Sequence, residues 1–277
     1  MLRRMIDVSA VAPTLVARGD GVHVAPCVGS VHYPARGNAG CRSVEDDSFW
    51  FSHRNGVIVD AVARAAPPGW LLDVGGGNGA VAAALARAGH QVALLEPGAD
   101  GVAAALARGL GPILHATLDD AALVPGSVPA AGLFDVVEHV ADDVAFLARL
   151  RDALGVGGRL YVTVPAFGWL WSRADEHAGH FRRYTPRSLA ATLGAAGLSV
   201  ERVTCFFSFL VAPIFVRRTL RDRLSPSRPT ADDGGDHRPS RWLGAPIAAL
   251  SAAERAWLAR GGALPVGSSV LAVARRV

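Results

Sequence analysis

The chain contains no lysine; all 28 basic residues are arginine. The same bias loads it with alanine and glycine, so it reads as a coding preference rather than a binding signature. The high pI of about 9.5 is therefore discounted as a sign of nucleic acid. Nucleic-acid binding calls for a basic stripe interleaved with aromatics, and these arginines are scattered. Cysteine is scarce too. Cys27, Cys41 and Cys205 make an odd count, which excludes a disulfide framework and fits a reducing compartment. His23, Cys27, His32 and Cys41 contain no C-x-x-C pair, so an ordinary loop is preferred to a zinc site. No long apolar stretch follows Arg3 and Arg4, and no run reaches membrane-spanning length. A cytoplasmic protein is expected. What remains is 277 residues that are 51% hydrophobic, enough for one large α/β domain with additions.

The most informative segment is Trp70-Leu71-Leu72-Asp73-Val74-Gly75-Gly76-Gly77-Asn78-Gly79-Ala80. An apolar run carrying an acid opens into glycines and then into an alanine-rich helical stretch. This is the pattern of a buried parallel strand, a tight turn and a helix N-terminus. Glycine there permits positive φ and close approach of backbone to a ligand. A nucleoside-containing cofactor is expected. The segment also fits G-x-G-x-x-A, which leaves NAD(P) open. Asp73 favours S-adenosylmethionine, because an acid attracts a cationic amino-acid ligand and repels a pyrophosphate. Glu96 ends the next apolar run and can accept both ribose hydroxyls, which either cofactor would use.

Alternating strands and helices surround this segment. Strands are expected at 70–74, 91–95, 112–116, 130–134, 159–164, 199–205 and 268–275. Helices are expected at 47–66, 79–88, 100–108, 141–153, 186–196 and about 246–260, with Ser48 and Thr185 as caps. Residues 1–45 read as an irregular extension, 46–205 as the core, 206–265 as an apolar and helical insertion with a flexible linker, and 266–277 as a final core strand.

The order of these motifs resembles the class I S-adenosylmethionine-dependent methyltransferases of the type 11/12 kind, over roughly Phe49 to Val203 and again at the last strand. Leu71–Gly79 resembles the first motif, with Gly75, Gly77 and Gly79 on the cofactor. Leu94-Leu95-Glu96-Pro97 resembles the acid at the tip of the second strand. Leu118–Pro125 is similar to a "D-A-x-x-L-P" segment, which implies that Asp119 meets adenine, with Asp120 as the alternative. Phe134–Val140 and Gly157–Pro165 resemble the fourth and fifth strands. The resemblance implies a Rossmann-like, doubly wound, seven-stranded sheet of order 3-2-1-4-5-7-6 whose last strand is antiparallel. It also implies that the first long helix covers the cofactor, with Trp50 in the lid and Arg54 facing the methionine carboxylate.

Three groups are candidates for chemistry. If Asp135 begins a helix, then Asp135, Glu138 and His139 share one face. That D-x-x-E-H pattern is similar to the E-x-x-E-H of ubiquinone-biosynthesis O-methyltransferases. There the resemblance implies a divalent metal holding a catechol-like substrate, and it points to oxygen as the accepting atom. A helix cap is the equal alternative for Glu138 and His139, and His139 as a general base is a third. The second group, Trp169 to Tyr184, resembles a "G-H-x-R-R-Y" segment of bacterial methyltransferases. It offers His180 as a base, Arg182 and Arg183 as anion ligands, and Trp171 and Tyr184 as substrate contacts. A hydrogen-bonded surface loop is the plain alternative. The third group is Phe49, Trp50 and Arg54, for which packing on the domain is the alternative.

The run Cys205–Val216 followed by Arg217, Arg218, Arg221 and Arg223 reads first as a core strand leading into a buried helix. The second reading is a wall for an apolar substrate or a membrane-surface patch over 206–223. The expected activity is methyl transfer from S-adenosylmethionine to a small or lipid-like acceptor. The rivals are an NAD(P)-dependent oxidoreductase, whose common Tyr-x-x-x-Lys pair the missing lysine removes, and a non-catalytic cofactor-binding module.

Overall fold

The computed structural model describes residues 6–31, 42, 45–46, 48–220 and 244–277, without the side chains of 217–219. His32, Cys41, Arg221, Arg223 and the linker read at 225–240 lie outside the described residues.

The chain opens with a single helical turn, α1 (Val8–Val11), capped by Asp7. Two short strands follow, β1 (Val16–Ala17) and β2 (Val22–Val24). Helix α2 (Phe49–Arg64) starts where the Ser48 hydroxyl accepts the Trp50 N–H. Then come β3 (Leu71–Val74), α3 (Ala80–Arg87), β4 (Val92–Leu95), α4 (Ala99–Ala107), β5 (Ile113–His115) and β6 (Val128–Phe134). Next are α5 (Asp143–Ala153), β7 (Leu154–Pro165), α6 (Arg173–Ala178), α7 (Pro186–Ala195) and β8 (Leu198–Phe206). The short helix α8 (Val211–Ile214), the long helix α9 (Gly244–Ala259) and β9 (Ser269–Arg276) complete the chain. Helix α7 starts as its sequence requires, with Thr185 in a reciprocal capping box and proline in the first turn.

Among the described residues nine strands form one sheet of order β1-β2-β5-β4-β3-β6-β7-β9-β8. From β5 to β8 this is the expected 3-2-1-4-5-7-6 order, and β9 runs antiparallel to both of its neighbours. Part of the N-terminal stretch read as irregular, residues 16–24, joins the sheet instead. β2 pairs parallel with β5, and β1 pairs antiparallel with β2, extending the sheet by two edge strands.

Side chains alternate across the sheet. Leu72, Val74, Leu95 and Leu133 pack with Leu147, Leu150, Leu189 and Leu193 of α5 and α7 on one face. Leu71, Leu94, Ile113 and Phe134 pack with Val57, Ile58, Leu85 and Leu258 of α2, α3 and α9 on the other. Alternation therefore turns Asp73 toward the α2 face, at the carboxyl end of its strand, where open α/β sheets bind ligands.

Candidate active site

The turn after β3 has the geometry its glycines allow. Gly75, Gly77 and Gly79 all have positive φ, at 68°, 53° and 76°. Gly76 has no room for a side chain: a Cβ there would lie 2.1 Å from Leu94 Cδ1 and 2.8 Å from Asp73 Oδ2. Beneath this turn Asp73 is fully buried, and neither carboxylate oxygen has a hydrogen-bond partner among the described residues. Burial pushes its carboxyl up to about 7. The Arg54 charge opposes that rise and the Glu96 charge adds to it.

Glu96 lies at the tip of β4, buried, and braces the same turn. Its oxygens accept the N–H groups of Gly77 and Gly98, each at 2.8 Å. Pro97, beside it, presents its carbonyl to His115 Nε2 at 3.1 Å. Over the turn, Asn78 donates to Glu45, and Arg108 reaches both Glu45 and Asp46. The sequence did not single out this clamp.

Beyond β6 the chain departs from the expected helix. Asp135 has φ 60° and leaves the strand in a left-handed kink, so it starts no helix. A 3-10 turn, Val137–His139, follows instead. Val136 touches the place where a Cβ on Gly75 would sit, which puts this turn beside the glycine loop. Asp135 accepts from Thr163 Oγ1 at 3.0 Å and from Arg54 Nε at 2.6 Å. The grouping Asp135–Glu138–His139 is therefore corrected. The donor set that the fold assembles is Glu138, His139 and His180, whose ligating atoms lie within 4.8 Å of one another. Glu138 is buried and its Oε2 has no hydrogen-bond partner among the described residues. Burial, with the nearby Asp135 charge, raises its carboxyl well above the usual range.

The segment after β7 docks against this turn. Phe181 N–H donates to the Glu138 carbonyl at 2.8 Å. The rings of His139 and His180 meet edge to face at 4.8 Å. His180 Nδ1 lies 2.8 Å from Asp175 Oδ1, and Asp175 is a residue the sequence reading missed. Burial works to raise the Asp175 carboxyl, but hydrogen bonds from His180 and Arg183 outweigh it and hold it at about 2.

Several expected ligand contacts turn out to be internal. Arg183 forks onto Asp175 at 2.7 and 2.9 Å, and its third nitrogen reaches the Ala166 carbonyl. Arg182 pairs with Asp143 and donates to the Ala141 carbonyl. Tyr184 is buried and donates to Asp143 Oδ2 at 2.6 Å. Buried polar groups must find partners, and these side chains found them within the protein. Trp171 is half-buried. Arg54 is likewise committed, to Asp135 and the Phe134 carbonyl, rather than pointing outward. Trp50 stacks on Phe207 with ring centroids 4.0 Å apart. Asp119 is largely exposed and pairs with Arg149 at 2.8 Å. Asp120 instead accepts from Thr117 Oγ1 and from Gly29 N–H.

The insertion is fastened by a second carboxylate missing from the sequence reading. Glu254 of α9 is buried. It accepts from His53 Nε2 or pairs with it at 2.8 Å, and it takes the N–H groups of Phe207 and Ser208 and the Ser208 hydroxyl. Phe206, Phe207 and Leu210 are core residues, which bears out the plain reading of that part of the apolar run. Farther along, Val216 and Leu220 are exposed, and Trp169 packs edge-on against Phe215. Among the described residues no helix is long and apolar enough to cross a membrane.

A family model described as a methyltransferase domain matches residues 50–203, more than half of the chain. Among solved structures, the chain resembles one from the complex of the Haloferax volcanii Trm112 methyltransferase activator with a methyltransferase. Identity is 18%, coverage is 89% of this chain and 97% of that one, and the TM-score is 0.56. It also resembles Haemonchus contortus phosphoethanolamine N-methyltransferase 2 in complex with S-adenosyl-L-methionine, at 15% identity, 88% and 58% coverage and a TM-score of 0.54. A third is geranyl diphosphate C-methyltransferase from Streptomyces coelicolor A3(2), seen with Mg2+, geranyl diphosphate and S-adenosyl-L-homocysteine. It matches at 17% identity, 82% and 79% coverage and a TM-score of 0.52. No curated protein matches the chain by sequence. At these identities the solved structures speak for the fold.

Proposed function

The chain belongs to this methyltransferase-domain family, and we propose that it binds S-adenosylmethionine and methylates a hydroxyl of a small or lipid-like acceptor. The observation that carries this reading is the buried Asp73 carboxylate, which has no hydrogen-bond partner among the described residues, under a glycine turn in which Gly76 leaves no room for a side chain. A buried unpaired acid is costly to the empty fold. A cationic ammonium placed against it offsets that cost, whereas a pyrophosphate would be repelled. Glu96 stands at the neighbouring strand tip, and carboxylate oxygens accept more than one hydrogen bond each, so ribose hydroxyls can join the two backbone donors it already holds.

S-adenosylmethionine supplies an electrophilic methyl carbon on a sulfonium sulfur. The protein's part is to hold the acceptor in line, exclude water and take up the hydroxyl proton. His139 and His180 stand past the ends of the adjacent strands β6 and β7, where an acceptor beside the cofactor would lie. Apolar walls support a lipid-like acceptor: Trp50 stacked on Phe207, and Trp169 edge-on against Phe215. Exposed Val216 and Leu220 flank Arg217 and Arg218 in sequence, which suits a cytoplasmic protein touching an anionic membrane surface.

Calorimetric titration with S-adenosylhomocysteine and with NADH, on the wild type and on Asp73→Ala, tests the cofactor. Micromolar binding of the first ligand, lost in the variant, is expected. Binding of NADH instead would overturn the reading.

A further inference from the structure

Residues 172–183, helix α6 and the loop after it, build a polar cluster whose purpose is not exhausted by holding that segment together. Asp175 is 1% exposed and sits at the third position of α6. Its Oδ2 accepts the Ser172 N–H at 2.9 Å and Arg183 Nη2 at 2.9 Å. Its Oδ1 accepts Arg183 Nε at 2.7 Å and faces His180 Nδ1 at 2.8 Å. A carboxylate forked by a guanidinium is ionised and can only accept. Nδ1 of His180 must therefore carry a hydrogen. In the neutral ring that leaves the lone pair on Nε2, the nitrogen turned away from Asp175. The remaining titratable groups that face His180 come from the turn after β6: His139, in edge-to-face contact, and Glu138.

We infer that Asp175 is the positioning residue of this site: clamped by Arg183, it fixes His180 as the Nδ1–H tautomer so that Nε2 is the base. The inference deepens the methyltransferase reading and rests on it for the identity of the proton donor. When an acceptor hydroxyl loses its proton to Nε2, the proton stays on that nitrogen. The resulting imidazolium is held by its Nδ1–H against the Asp175 carboxylate until solvent takes the proton away. Arg183 thus acts at one remove, holding the acid that holds the base.

Replacing Asp175 by Asn makes a specific statement about the hydrogens. With the amide oxygen in the Oδ2 place, it satisfies Ser172 N–H and Arg183 Nη2 and opposes donors only at Arg183 Nε. The reverse placement opposes two donors. The amide NH2 therefore faces His180 Nδ1, which must accept, and the ring switches to the Nε2–H tautomer.

The test is long-range 1H–15N correlation spectroscopy of histidine-labelled full-length protein, at alkaline pH, where imidazole rings are neutral. The His180 signals are assigned by their loss in His180→Gln. The wild type is expected to show a protonated Nδ1 and a bare Nε2, with the pattern reversed in Asp175→Asn. A protonated Nε2 in the wild type, or an unchanged tautomer in a folded variant, overturns the inference. The wild-type spectrum decides even if Asp175→Asn fails to fold. S-adenosylhomocysteine titration of the same samples reads the cofactor separately. Binding with the wrong tautomer refutes Asp175 alone, and the right tautomer without binding refutes the methyltransferase reading.

Discussion

Replacing Asp73 by asparagine should make the ligand-free protein more stable and the liganded protein less so. The carboxyl is fully buried with no hydrogen-bond partner among the described residues, and its folded-state value is about 7 against an ordinary 3.8. A group whose folded value is raised binds more protons in the native state, so native stability falls as pH rises between those two values. At about 1.36 kcal/mol per unit, the full charging cost above pH 7 is about 4 kcal/mol. The Asn amide is itself buried without a partner, which takes back roughly 1–2 kcal/mol. The variant is therefore expected to exceed the wild type by about 2–3 kcal/mol at pH 8 and to fall about 1–2 kcal/mol below it near pH 4, where the acid is protonated in both states. Urea unfolding at a series of pH values, with variant minus wild type taken at each, cancels the contribution of every other group. S-adenosylhomocysteine should reverse the order at pH 8 by stabilising the wild type alone. A difference that stays flat with pH, or a less stable Asn variant at pH 8, would refute the reasoning about this carboxyl.

Glu254→Ala strips the acceptor from His53 and from three donors of residues 207–208, and a loss of roughly 3–5 kcal/mol is expected in the urea midpoint. Tyr184→Phe removes one buried hydrogen bond to Asp143 and should cost about 1–2 kcal/mol while leaving S-adenosylhomocysteine affinity within twofold. Gly76→Ala drives a methyl group into Leu94 and Asp73, so calorimetry should show at least a tenfold loss of that affinity. The wild type should co-sediment with anionic liposomes at low salt, and Trp169→Ala with Val216→Asp should not; equal pelleting of both would dismiss the membrane contact.

The core was legible because its signals are long and redundant. Leu71–Val74 and Val92–Leu95 are apolar runs buried on both faces, and each ends against glycine, proline or an acid. β1 and β2 were missed because strands of two and three residues have no period to read. Their only mark is Gly19-Asp20-Gly21, whose two glycines take positive φ in the turn between them. Asp73 and Glu96 were placed by the strand-end rule, which depends on topology alone. Arg182, Arg183 and Tyr184 were read as ligand contacts without their internal partners, because sequence records which groups can bond but not which internal acid they meet. Asp143 and Asp175 claimed them first. Asp135 failed for a local reason, since one left-handed residue turns a helical i, i+3, i+4 face into a kink.

β9 is the last described strand in chain order yet lies inside the sheet, hydrogen-bonded on both edges, while among the described residues β8 has no other strand beside it. Until 269–276 arrive, β7 keeps an open edge and β8 has nothing to pair with. Closing the gap requires residues 207–268 to loop round first, an entropic cost that grows only slowly with loop length. The half carrying Asp73 and Glu96 is built from local strand–helix–strand units, whereas β8 gains a partner strand only through β9, the farthest along the chain. Glu254 ties α9 to His53 on α2, so the connection that leads into β9 is anchored on that first half.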